Sequence, residues 1–174
     1  MASAKNCPSM KLGLCKATKQ GAKCYACKAE DLYPLVLPYR ERQAKLWSGI
    51  SAEEFASQFL MINAFKVRPF NALRFNESGD FHDQRCVDKA EKIARILKKH
   101  GIVTYCYTSR DDLSYAEVRD LVIHGSGFTK KGIKGIFKII EKKEDKVKGW
   151  GLCRMNCRVC TMCQKFSNVC IVKH

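Results

Sequence analysis

Residues 71–109 read NALRFNESGDFHDQRCVDKAEKIARILKKHGIVTYCYTS, and their reading decides the fold class. NALRF carries Leu73 and Phe75, and the apolar run then breaks at Ser78-Gly79-Asp80. That is the pattern of a short buried strand ending in a tight glycine turn. Val87, Ala90, Ile93, Ala94 and Leu97 next recur at the spacing of one helical face. Lys98, Lys99 and His100 complement the negative end of the helix dipole, and Gly101 suits the position just past the last turn. IVTYCYTS is β-branched and aromatic, the composition of a second buried strand. Strand, helix and strand in this order form a βαβ unit whose two strands run parallel.

Working outward, LVIHG (121–125) offers a third strand after a short helix near SYAEV (114–118), and GIFKIIEKK (135–143) offers a fourth. Upstream, Pro34 and Pro38 predict an irregular run, and YRERQAKLW (39–47) a short helix closed by Ser48-Gly49. Ser51 with Glu54 three residues on is a capping box. It opens a helix in which Phe55, Phe59, Ile62 and Phe65 form a core-facing stripe. The expectation is a single α/β domain over residues 1–174, with a small, mostly parallel, incompletely closed sheet and cysteine-rich N- and C-terminal loops.

Composition narrows the function classes. Hydrophobic residues make up 46% and charged residues 28%, a globular balance rather than a disordered one. No run approaches a membrane span, and MASAKNCPSMKLGLCK lacks the apolar stretch of a secretory signal, which places the chain in a cytosol with no membrane partner. Reducing cytosol disfavours disulfides, so 11 cysteines, an odd number, read as metal ligands more readily than as a disulfide framework. The formal charge of +15 attracts polyanions, nucleic acid first among them. The plain alternative is a lysine-solvated surface, and no helix-turn-helix, zinc-finger or aromatic RNA-binding signature accompanies the charge.

The cysteines gather at the two ends. Cys157, Cys160 and Cys163 form C-x2-C-x2-C, a spacing that lets one loop present three thiolates to an iron–sulfur cube with a remote fourth ligand. Zinc, which more often takes two separated knuckles, is the alternative, and free redox thiols a third. Cys153-x3-Cys157-x2-Cys160 also matches the radical S-adenosylmethionine spacing, a pattern that a run this dense fits by chance. Cys7, Cys15, Cys24 and Cys27 make the N-terminal group, allowing two sites or one site joining both ends. Either Cys7 or Cys153 could complete the C-terminal set. Cys86, Cys106 and Cys170 read as small core residues. Asp80 or Asp83 either caps the following helix or meets a ligand at the carboxyl edge of the sheet. His82, His100, His124 and His174 lack zinc-enzyme spacing, and none is assigned to catalysis.

NCP at the start, CYACKAEDLYPLVLPYRERQ, RFNESGDF, VTYCYTS, VIHGSGF and the closing NCRVCTMCQKFSNVCIVKH resemble the phage gene-product-eighty-eight family of cysteine-rich proteins, over nearly the whole length. The resemblance implies iron–sulfur binding and carries over Cys7, Cys15, Cys24, Cys153, Cys157, Cys160 and Cys163 with the turn Ser78, Gly79 and Asp80. SGDFHDQRCVDKAEKIARILKKHGIVTYCYTS is further similar in layout to radical S-adenosylmethionine barrels, here an incomplete one. In those enzymes a Gly-Gly-Glu turn binds the cosubstrate. That likeness puts Glu77, Ser78, Gly79 and Asp80 beside S-adenosylmethionine, although the spacing of Cys7, Cys15 and Cys24 departs from the usual triad.

The leading expectation is therefore a phage-type protein of the host cytosol holding one [4Fe–4S] cluster, or two, with an electron-transfer, redox-sensing or structural role. The alternatives are a minimal radical S-adenosylmethionine-like enzyme and a basic nucleic-acid-binding protein with a structural zinc or cluster. Nucleic acid, or an acidic host or phage protein, is the expected partner.

Overall fold

The computed structural model describes residues 2–15, 24–157, 160–165 and 167–172. The stretch between Cys15 and Cys24, expected as a loop, and His174 lie outside the described residues. Among the described residues the helices are α1 (Pro8–Lys11), α2 (Tyr25–Leu32), α3 (Val36–Gly49), α4 (Ala52–Ala64) and α5 (Gln84–Lys98). The strands are β1 (Ala72–Arg74), β2 (Val103–Thr108), β3 (Val122–Ser126), β4 (Gly135–Ile140), β5 (Gly151–Leu152) and β6 (Val169–Val172). They form one sheet in the order β1-β2-β3-β4-β6-β5, parallel at every pairing and curled into a half-barrel.

The β1–α5–β2 unit is built as its sequence dictates. Asp83 is the N-cap of α5 and accepts from the Cys86 amide at 3.0 Å. Val87, Ala90, Ile93, Ala94 and Leu97 are all buried, each large side chain contributing about 1.5–3 kcal/mol. Gly101 ends the helix at φ +73, a conformation that costs a side-chain-bearing residue more. In β2 the two-residue period sends Thr104, Cys106 and Thr108 to one face and Tyr105 and Tyr107 to the other. Cys106 and Ile123 meet the core formed with α5. Buried Glu91 of α5 accepts from the amides of Arg119, Asp120 and Leu121, fixing the approach to β3.

Several expectations change. Residues 114–118 form turns rather than a short helix. α3 begins at Val36, with Pro38 in its first turn, where the missing amide costs no helical bond. α2 takes up the segment carrying Cys27, and β5 and β6 extend the sheet beyond the four strands expected. Ser51 caps α4 through the Glu54 amide at 3.0 Å. Its buried stripe, however, runs Ala52, Ala56 and Asn63 with Phe55, Phe59 and Leu60 partly buried, leaving Ile62 and Phe65 exposed. At 100° per residue Phe65 falls on the opposite side from that stripe. Cys106 and Cys170 are fully buried, and Cys86 is half-buried against the core. No helix among the described residues is long and apolar enough to cross a membrane.

Candidate metal centre

The N-terminal segment is locked onto the carboxyl edge of the sheet. Glu30, whose side chain is buried, accepts from the amides of Ala4 at 2.6 Å and Lys5 at 3.1 Å, and pairs with Arg40 at 3.0 Å. Arg40 also donates to the Ala26 carbonyl and to both Glu77 oxygens. Gly79, at φ +67, lies against Ala2, whose carbonyl oxygen would sit 2.6 Å from an added Cβ. Ser78 donates to that same carbonyl at 3.1 Å.

Asp80 is the junction. It accepts from the Ser9 hydroxyl at 2.6 Å, the Thr108 hydroxyl at 2.8 Å, and the Ser109 and Phe81 amides at 2.8 Å each. Asn76 adds a longer bond at 3.3 Å. Burial pushes the Asp80 carboxyl up, against the pull of these donors. The alternatives left open for Asp80 and Asp83 thus separate: Asp83 caps α5, while Asp80 joins β1, β2 and the N-terminal segment. Of Glu77, Ser78, Gly79 and Asp80, Glu77 is the member whose side chain remains largely exposed.

Around this edge lie Cys7, the N-cap of α1, and Cys24, the N-cap of α2, with Cys27 in the first turn of α2. Burial raises the Cys7 thiol to about 11, with the charges of Asp80 and Cys15 adding to it. Burial likewise raises Cys27 to about 11, followed by its neighbour Cys24. The interactions therefore join Cys7 with Cys15 and Cys24 with Cys27.

The C-terminal cysteines lie over the inner face of the half-barrel. The 3₁₀ turn Met162–Gln164 rests on β2 and β3. Cys163 is raised by burial, with the charges of Cys153, Cys160 and Cys157 adding to the shift, while a hydrogen bond from the Tyr107 hydroxyl opposes it. The Cys153 sulfur accepts from the Met155 amide at 3.4 Å, and Met155 turns the chain toward Cys157 through a left-handed φ of 54. Beneath them, the Tyr107 ring lies 4.6 Å from Phe137 and 5.4 Å from His124 between centroids, with the Arg74 guanidinium 4.9 Å over it. His124 is completely buried, its Nε2 within 2.9 Å of the Cys163 carbonyl oxygen and its Nδ1 without a partner among the described residues. Burial lowers its pKa, so the ring is neutral. Gly135 leaves the space this ring fills: an added Cβ would stand 2.7 Å from Nδ1.

No disulfide joins the cysteines among the described residues. No three His, Cys, Asp or Glu side chains among the described residues converge into a finished metal-binding group. The donor set nonetheless fits a thiophilic centre in kind: Cys153, Cys157 and Cys160 in charge range of Cys163, and the His124 Nε2 2.9 Å from the Cys163 carbonyl oxygen. Reasoning from sequence passed over Arg74, Tyr105, Tyr107 and His124. The alternation in VTYCYT was a signal for both tyrosines; a lone buried histidine carried none.

A family model described as Gene product 88 matches residues 1–127. The chain belongs to the Gene product 88 family. The match takes in Cys7, Cys15, Cys24, Cys27, the Ser78-Gly79-Asp80 turn and the sheet through β3. Likeness over nearly the whole length was expected, but the Gene product 88 match stops before β4 and the cysteines at 153–163. No curated protein and no solved structure matches the chain.

Proposed function

We propose that this Gene product 88 protein is an iron–sulfur protein, holding at least one [4Fe–4S] cluster over the inner face of its half-barrel. Cys157, Cys160 and Cys163 supply three ligands, and Cys153 or Cys7 the fourth. The cluster serves electron transfer, redox sensing or the joining of the two chain ends, in the reducing cytosol of a host. One observation carries the reading: the turn that bears Cys163 rests on β2 and β3 with the Cys163 carbonyl oxygen 2.9 Å from His124 Nε2, and Cys153, Cys157 and Cys160 lie in charge range of Cys163. Hydrogen bonds to sulfur and burial are the levers by which a protein sets a cluster's potential. Because burial keeps Cys163 protonated in the metal-free chain, metal uptake releases a proton there and strengthens as pH rises.

Anaerobic purification followed by iron, zinc and acid-labile sulfide analysis tests this. About four irons and four sulfides per chain support one cubane, and about twice that supports a second cluster near Cys7, Cys15 and Cys24. Zinc without sulfide contradicts the proposal and leaves a structural metal site.

A second reading, a minimal radical S-adenosylmethionine-like enzyme, is favoured by the parallel half-barrel and by the position of Glu77 at its carboxyl edge. Here Cys7, Cys15 and Cys24 hold a cluster with one open iron. An EPR signal of the reduced protein that S-adenosylmethionine leaves unchanged removes this reading.

A further inference from the structure

Residues 65–71, FKVRPFN, leave α4 and enter β1, the strand at one edge of the sheet. Phe65 is 87% exposed, Val67 100% and Phe70 51%. Lys66 and Arg68, also exposed, alternate with them. The segment is held in place. The Phe70 amide donates to the Asn63 side-chain oxygen at 2.6 Å, and Asn63 Nδ2 donates to the Phe70 carbonyl at 2.9 Å. The Lys66 amide donates to the Asn63 carbonyl at 3.2 Å. A half-buried clip thus fixes a protrusion that presents apolar rings to water, an arrangement that costs hydrophobic free energy unless something covers it.

Basic side chains gather at this edge. Among the described residues no carboxylate forms a salt bridge with Lys66 or Arg68, and the Lys66 ammonium lies 4.7 Å over the Phe70 ring. Lys99 and His100, both exposed, reach the same edge, because Val103 just beyond them donates to the Asn71 carbonyl at 3.0 Å. The whole chain carries +15.

We propose that the open groove lined by Phe65, Lys66, Val67, Arg68 and Phe70 is a docking site for single-stranded nucleic acid. Unpaired bases stack on Phe65 and Phe70, and Lys66 and Arg68 pair with the phosphates between them. A single strand offers flat faces and negative charges in alternation, which is the complement of this segment; a duplex keeps its base faces covered. No cysteine lines the groove.

Fluorescence anisotropy of the full chain with a labelled single-stranded oligothymidylate tests it. Binding weakens steeply with added salt. The double variant Phe65→Ala/Phe70→Ala binds at least about thirtyfold more weakly, while Lys66→Gln/Arg68→Gln lowers the slope of log affinity against log salt by about 1.4. A duplex of equal length binds no tighter and is indifferent to the phenylalanine substitutions. All four side chains are exposed, so thermal melting of the variants matches that of the parent. Absence of binding at low salt overturns the proposal, as does binding that the phenylalanine substitutions leave unchanged, which marks a diffuse basic surface. Binding to phosphatidylserine-containing vesicles without binding to the oligonucleotide also overturns it.

Discussion

On the outer face of the sheet, Cys106 and Ile123 meet Val87, Ile93 and Leu97 of α5 in a core from which water is excluded. On the inner face, Arg74, Tyr107, His124 and Phe137 stack against one another under a segment that carries four cysteines. One set of strands thus supports two different surfaces, since successive side chains alternate. The outer surface is closed by apolar packing, with Thr104 Oγ1 its one buried polar atom left without a partner among the described residues. The inner surface carries polar groups, and among the described residues it leaves the His124 Nδ1 without a partner and no thiol in a disulfide. On the proposed reading, stability belongs to one face and chemistry to the other.

Substitutions sharpen or break that assignment. Leu97→Ala on the outer face removes a fully buried side chain and costs about 2–5 kcal/mol, read by urea denaturation, without changing the iron bound per folded chain. Asp80→Ala, at the carboxyl edge between the faces, strands the donors from Ser9, Thr108, Ser109 and Phe81. It costs about 2–4 kcal/mol and loosens the segment carrying Cys7, which limited proteolysis detects. Tyr107→Phe on the inner face costs about 1 kcal/mol at most, yet it removes the hydrogen bond to Cys163. Its expected signature is a lower reduction potential of the bound cluster in a spectroscopic redox titration. Ile62→Ser, exposed on α4, changes stability by no more than about 0.5 kcal/mol. A large loss there would mean that the stripe read from sequence packs after all.

The outer face was legible in the sequence because two periodicities spell it out. Val87 to Leu97 repeat at helical spacing, and VTYCYT alternates. Asp83 and Gly101 mark the ends of α5 by local chemistry alone. The α4 stripe was misread because phenylalanine and isoleucine outweigh the small residues Ala52 and Ala56, which actually face the core. β5 and β6 were hidden for another reason: one is two residues long, and the other lies next to the closing cysteine run. The cysteines themselves could be read by type and spacing. Their setting could not, because Tyr107, His124 and Gly135 come together only when β2, β3 and β4 pair. The junction at Asp80 was half visible: the turn was evident, but Ser9, which supplies its shortest bond, is 71 residues away.

The most direct test of the inner face as the metal-bearing surface is differential alkylation of the anaerobically purified chain, read by mass spectrometry before and after chelation. The account predicts that Cys157, Cys160 and Cys163 are protected together in the loaded protein and become reactive together once the metal is stripped, while buried Cys106 and Cys170 stay unmodified until the chain unfolds. Cys157 and Cys160 reacting equally with and without metal would contradict it.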